Sequence, residues 1–147
     1  MRMIFTKRDG KYELLEIVRT DDGVERIDCP KQGIVPHDMV HYAVETVLGA
    51  RGFMRAIGAG ETVAYAPMKE AEAEAVERLV ETMQADAWGA PGSPADLIDL
   101  YRLTCEARGH DAIPVHPADV ETIRDEITRL QLLWDDVPIG GTLELSF

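Results

Sequence analysis

Near the N-terminus, three short stretches rich in aliphatic residues are separated by turn residues, a pattern typical of a β-meander. The stretches are residues 3–5, 12–18 and 24–28. Asp9-Gly10 favours a two-residue hairpin turn because both positions tolerate a positive φ, and residues 21–23 favour a second turn. Pro30 lacks the N–H that a strand ladder needs, so we expect it to end the pairing. Apolar residues are adjacent within 12–18, which leaves open which face of the sheet is buried.

A fourth strand is predicted at the C-terminus. Over residues 142–147, Leu143, Leu145 and Phe147 alternate with polar residues, as in a strand with one buried face. A terminal strand without a neighbour would leave its backbone groups unpaired. We therefore expect this strand to join the N-terminal sheet.

Between these strands, apolar residues recur at intervals of three and four, which predicts four or five helices. The pattern places helices at residues 36–48, 69–87, 94–108 and 117–137, with a short helical turn or loop at 51–60. Proline or serine at the start of these segments and glycine at the end suit helix termini. The order of elements predicts an α+β fold, with a small, mostly antiparallel sheet packed against the helices. The 147 residues are most simply one domain.

The helix predicted at 69–87 has one apolar stripe and a run of glutamates. The stripe consists of Ala73, Val76, Leu79, Val80, Met83 and Ala87, and the glutamates are Glu70, Glu72, Glu74, Glu77 and Glu81. A cation-binding face is one interpretation of such a run. The interpretation we prefer is that the glutamates face water while the stripe packs into the core.

The last predicted helix carries apolar residues in an a/d pattern, at Val120, Ile123, Ile127, Leu130, Trp134 and Val137. The pattern spans fewer than three heptads, which is too short for a coiled coil. Packing into the core of the domain explains it. A homodimer contact through the 117–137 helix is the alternative.

Charge and cysteine content narrow the class of protein. Fifteen basic and 27 acidic residues give a net charge of −12, which disfavours nucleic-acid and anionic membrane partners. No apolar run approaches the length of a membrane span, and the charged residues near the N-terminus do not fit a signal peptide. Cys29 and Cys105 are far apart in a chain able to build its own core, so we expect free thiols and a cytoplasmic location.

The most promising chemistry lies in the first predicted helix. His37, His41 and Glu45 follow one another at intervals of four, so they climb one helix face. Two imidazoles and a carboxylate form a candidate site for zinc or another divalent transition metal. The segment His37-Asp38-Met39-Val40-His41 resembles the H-E-x-x-H motif of metalloproteases, with aspartate in place of glutamate. That resemblance implies a metal-dependent hydrolase in which Asp38, or another carboxylate, orients the attacking water.

A structural interpretation of the same residues competes with the metal site. Asp38 near a helix start interacts favourably with the helix dipole, and a histidine–glutamate pair four residues apart is ordinary helix electrostatics. The sequence thus leaves two functions open. One is a non-catalytic interaction or regulatory module, which we prefer because no catalytic constellation is complete. The other is the metal-dependent hydrolase.

A second resemblance extends over most of the chain. It rests on Pro36-His37-Asp38 with His41 and Glu45, on Gly52-Phe53, and on a closing Trp134, Pro138, Gly140 and Leu143-Glu144-Leu145. With the short N-terminal strands, these residues resemble a small bacterial protein family of unknown function. The resemblance implies a compact bacterial cytoplasmic domain and implies no mechanism.

Overall fold

The computed structural model describes residues 1–50, 52–60 and 71–147. Within these ranges, four strands form one antiparallel sheet in the order β3-β2-β1-β4. They are β1 (Arg2–Thr6), β2 (Tyr12–Val18), β3 (Val24–Pro30) and β4 (Thr142–Ser146). The predicted meander is confirmed, and so is the prediction that the C-terminal strand joins it, since β4 pairs with β1.

The register settles which face of the sheet is buried. Met3 lies opposite Ile17 on one side and Leu145 on the other, and Phe5 lies opposite Leu15. These five side chains are buried. Because side chains alternate between the two faces of a strand, these apolar residues lie on one face of β4, β1 and β2, the face that packs into the core.

The described ranges also contain five helices, so the predicted α+β fold is confirmed. They are α1 (His37–Leu48), α2 (Phe53–Gly58), α3 (Ala71–Trp88), α4 (Pro94–Ala107) and α5 (Pro117–Asp135). Gly49 ends α1 in the left-handed conformation, with φ of 62°. The predicted start of α3 at residue 69 and its Glu70 lie outside the described residues.

The a/d positions of α5 pack into the core. Val120, Ile123, Ile127, Leu130 and Trp134 are all buried within the single chain, and Val137 is packed against the same core. The core interpretation of this pattern is therefore confirmed. Among the described residues, no helix combines the length and the apolar character needed to cross a bilayer.

α1 lies at the centre of the fold. It packs against α3, α5 and β3, and every residue from Asp38 to Glu45 is buried. This buried run includes three polar side chains, Asp38, His41 and Glu45. A buried polar group is costly unless it has a partner, so these three side chains direct attention to their surroundings.

Candidate metal centre

Two histidines of α1 lie one turn apart and close together. The ring centroids of His37 and His41 are 4.9 Å apart, with the rings nearly perpendicular. The His41 side chain is only 3% exposed, whereas that of His37 is 22% exposed. The pair therefore extends from the interior of the protein to its surface. The four-residue spacing seen in the sequence does bring both imidazoles to one place.

The carboxylate that meets both rings comes from α3. Glu77 Oε2 lies 3.0 Å from His41 Nε2, and Glu77 Oε1 lies 3.5 Å from His37 Nε2. One ligand atom from each of the three residues can be chosen so that all lie within 4.8 Å of one another. We call these residues, His37, His41 and Glu77, the His–His–Glu cluster.

The sequence-based prediction that Glu77 faces water was wrong. Its side chain is 19% exposed because α3 packs against α1 along this side. Glu72 and Glu81, by contrast, are exposed. Glu77 lies at the edge of the apolar stripe, directly after the buried Val76. That edge position was the one available signal, and it did not reveal which neighbouring helix the side chain would meet.

The other nitrogen of each imidazole faces an acceptor. His37 Nδ1 lies 2.8 Å from Gln84 Oε1, and Gln84 in turn donates to Gln32 Oε1. His41 Nδ1 lies 3.4 Å from Glu45 Oε2, but it is buried and, within the described ranges, has no hydrogen-bond partner in adequate geometry. Both rings therefore direct Nε2 towards Glu77.

Glu45, predicted as a metal ligand, lies on the far side of His41. Its side chain is fully buried. Oε1 accepts hydrogen bonds from the backbone N–H groups of Gly52 and Arg55, and Oε2 accepts one from Met54, at 3.0–3.1 Å. The carboxylate thus anchors the first turn of α2. The structure brings Glu45 next to His41 but does not place it in the His–His–Glu cluster.

Asp38, predicted as the residue that orients water, interacts with a different group. Burial raises the pKa of the Cys29 thiol on β3, and the charge and hydrogen bonding of Asp38 raise it further. Asp38 itself is only 6% exposed. Its carboxylate therefore belongs to the α1–β3 contact.

The electrostatics of the cluster favour positive charge between the carboxylates. Burial disfavours the imidazolium form of His41, but Glu45 and Glu77 on either side outweigh it and raise the pKa of His41 to about 9. Burial likewise opposes the charge on Glu77, yet the two histidines lower the pKa of Glu77 well below its usual value. The pKa of His37 is raised against its burial by Glu77 and Gln84. The space between the His41 imidazole and the Glu77 carboxylate is therefore favourable for a positive charge, whether a proton or a metal ion.

The donor set limits which cation would fit. Two imidazole nitrogens and one carboxylate suit zinc and similar divalent transition metals, whereas calcium and magnesium prefer oxygen ligands. Three protein ligands also leave room for a water molecule in a four-coordinate site.

No family model, curated protein or solved structure matches this chain. The resemblance to a small bacterial family therefore stays a prediction.

Proposed function

We propose that this chain is a metal-binding module in which His37, His41 and Glu77 hold one divalent transition-metal ion, with zinc as the reference metal. The ion would join α1 to α3 through side chains of both helices. Its role in this proposal is structural or regulatory, in keeping with the non-catalytic module favoured from the sequence.

One observation carries the proposal: both Nε2 atoms converge on a single carboxylate while both Nδ1 atoms face acceptors. Histidine ligands of metals usually direct their second nitrogen to a carboxylate, carbonyl or water, which fixes the tautomer that leaves the other nitrogen free to bind. Gln84 and Glu45 occupy those outer positions around His37 and His41. An ordinary surface ion pair needs no such arrangement around each ring.

Zinc titration of tag-free protein tests the proposal. After treatment with chelator, the wild-type protein should bind one equivalent of zinc by isothermal titration calorimetry and should melt at a higher temperature when loaded. Glu77→Gln should lose stoichiometric binding because the amide replaces the only carboxylate of the cluster. Glu81→Gln is the matched control, because Glu81 lies one turn further along α3 and its side chain is 48% exposed.

Two results would contradict the proposal. One is the absence of stoichiometric binding for zinc, manganese and ferrous iron alike. The other is equal binding by Glu77→Gln and Glu81→Gln, which would assign the ion to the acidic surface. In either case the His–His–Glu cluster would be a structural ion-pair network between α1 and α3.

Metal-assisted hydrolysis is the second candidate function. It is favoured by the three-ligand set, because catalytic zinc sites keep one coordination position for water. The base that activates such a water would have to be a residue other than Asp38, whose carboxylate interacts with Cys29. With a net charge of −12, the substrate would be small and not polyanionic.

We also retain the homodimer as a proposal, with a changed interface. The a/d residues of α5 are buried in the chain itself, so a contact through α5 would use its outer face, where Leu132 is 65% exposed.

Cys29 and Cys105 are both free and buried, which supports the proposed cytoplasmic location.

A further inference from the structure

We infer that Glu45 couples occupancy of the metal site to the packing of α2; this inference rests on the proposed metal-binding function. Glu45 is then a positioning residue. One carboxylate contacts the outer nitrogen of a metal-binding imidazole and the backbone of a second element at the same time.

The first half of the coupling is the unsatisfied nitrogen of His41. Its Nδ1 is buried without a hydrogen-bond partner among the described residues, 3.4 Å from Glu45 Oε2. An ion on Nε2 would replace the proton on that nitrogen, fix the position of the ring and leave the Nδ1 proton on the side that faces Glu45. Glu45 Oε2 is the acceptor that faces this proton, so metal binding should draw the two groups into a hydrogen bond.

The second half is the dependence of α2 on the same carboxylate. α2 has only six residues, too few to be stable as an isolated helix. Its first turn is held by the N–H groups of Gly52, Met54 and Arg55, which all donate to Glu45. Restraining Glu45 from the side of His41 should therefore restrain the start of α2.

Gly52 shows how closely this region is packed. A Cβ atom at this position would lie 2.6 Å from Glu45 Cδ and 2.7 Å from Val76 Cγ1, so alanine would force Glu45 or the backbone to move. At Gly58, near the end of α2, a Cβ would meet only one side chain among the described residues, the flexible Met1, at 3.1 Å. Gly58→Ala is therefore a matched control that adds the same methyl group without disturbing Glu45.

Amide hydrogen exchange of residues 52–58 with and without zinc chloride tests the coupling. Zinc should slow amide exchange at these residues by about tenfold in the wild type and should leave the exchange rates of Glu77→Gln unchanged. By thermodynamic reciprocity, Gly52→Ala should weaken zinc binding by a similar factor, about tenfold or more. Gly58→Ala should bind within about twofold of the wild type. None of these variants alters a proposed ligand except Glu77→Gln, which serves as the unbound reference.

The outcomes separate this inference from the proposed function. Stoichiometric zinc binding with no change of exchange at 52–58 would overturn the coupling alone, as would a folded Gly52→Ala that binds as tightly as Gly58→Ala. A wild type that binds no zinc would overturn both. If Gly52→Ala does not fold, the exchange measurements on wild type and Glu77→Gln decide the question.

Discussion

His41 is the residue at which burial and charge compete most strongly. It is 2% exposed, and it lies between Glu45 on its own helix and Glu77 on α3. Desolvating a charge is expensive, and a buried ion pair is retained only when its geometry compensates for that cost. Here two carboxylates face one ring. The consequence is that the metal-free protein holds His41 in its charged form near neutral pH.

This charge state predicts how the stability of the metal-free protein depends on pH. The pKa of His41 is about 9 in the folded state against 6.5 as its ordinary value. The stabilisation is therefore complete below about pH 6.5 and is lost as the pH rises towards 9. We expect a loss on the order of 2–3 kcal/mol between pH 6.5 and 8.5, measured by urea unfolding in chelator. His37, whose pKa is also raised, adds to the loss in the same direction.

His41→Gln provides the control for this pH dependence. The variant removes the titrating group, so its stability should change much less over the same interval. Glu77 does not contribute to the slope there, since its lowered pKa makes its own effect appear only at acidic pH. Identical pH profiles for wild type and His41→Gln would show that folding does not raise the pKa of His41.

The candidate site was only partly predictable from sequence, for reasons that differ between residues. His37 and His41 were found because four-residue spacing places side chains on one face of a single helix. Glu77 lies on another helix, so its contact depends on how α1 and α3 pack. Glu45 was chosen by the same spacing rule as the histidines. Its carboxylate, however, accepts hydrogen bonds from backbone N–H groups of residues 52–55. No periodic pattern in the sequence indicates that the chain folds back to place those groups there.

Among the elements, α4 shows how a sequence signal fixes a boundary. Ser93 precedes the first turn, Pro94 occupies it, and the Asp96 backbone N–H donates to Ser93 Oγ at 3.1 Å. A capping side chain satisfies one of the N–H groups that the first turn leaves without a helical partner. Both the capping serine and the first-turn proline could be predicted because they depend on residues adjacent in the chain.

Ser93→Ala should lower the free energy of unfolding by about 1 kcal/mol, the usual effect of losing an N-cap. Ser93→Asp should stay close to the wild type because aspartate also accepts from the N–H two or three residues later. Urea unfolding at neutral pH would measure both. Equal stability of Ser93→Ala and Ser93→Asp would mean that α4 is held by its packing alone.

The two edge strands show what the hydrophobic pattern left undetermined. The order β3-β2-β1-β4 places β3 and β4 at the edges. On β3 only Cys29 is buried, and the strand exposes Arg26 and Asp28 and ends at Pro30. Charges and proline on an edge discourage pairing with another sheet. The sequence predicted that these strands exist, but the position of β4 beside β1 depends on a contact between the two ends of the chain.

At the scale of the whole molecule, one core joins the sheet to α1, α3, α4 and α5. The same periodic residues of α5 fitted either this core or an interface, because burial within a chain and burial between chains produce the same pattern of apolar positions. Only the packing of α5 against α1, α3 and α4 distinguishes them. The negative charge of the surface adds repulsion between copies of the chain.

The last prediction compares the two faces of α5. Ile127 is 4% exposed and Leu132 is 65% exposed. Ile127→Ala should cost about 2–5 kcal/mol because it leaves a cavity in the core. Leu132→Ala should change the stability of a monomer by less than about 0.5 kcal/mol. Urea unfolding gives both values, and light scattering at micromolar concentration gives the assembly. If the wild type is a dimer that Leu132→Glu dissociates, the outer face of α5 is the interface. A wild type that is already monomeric, with Leu132→Glu as stable as Leu132→Ala, would eliminate the homodimer and leave α5 a purely internal helix.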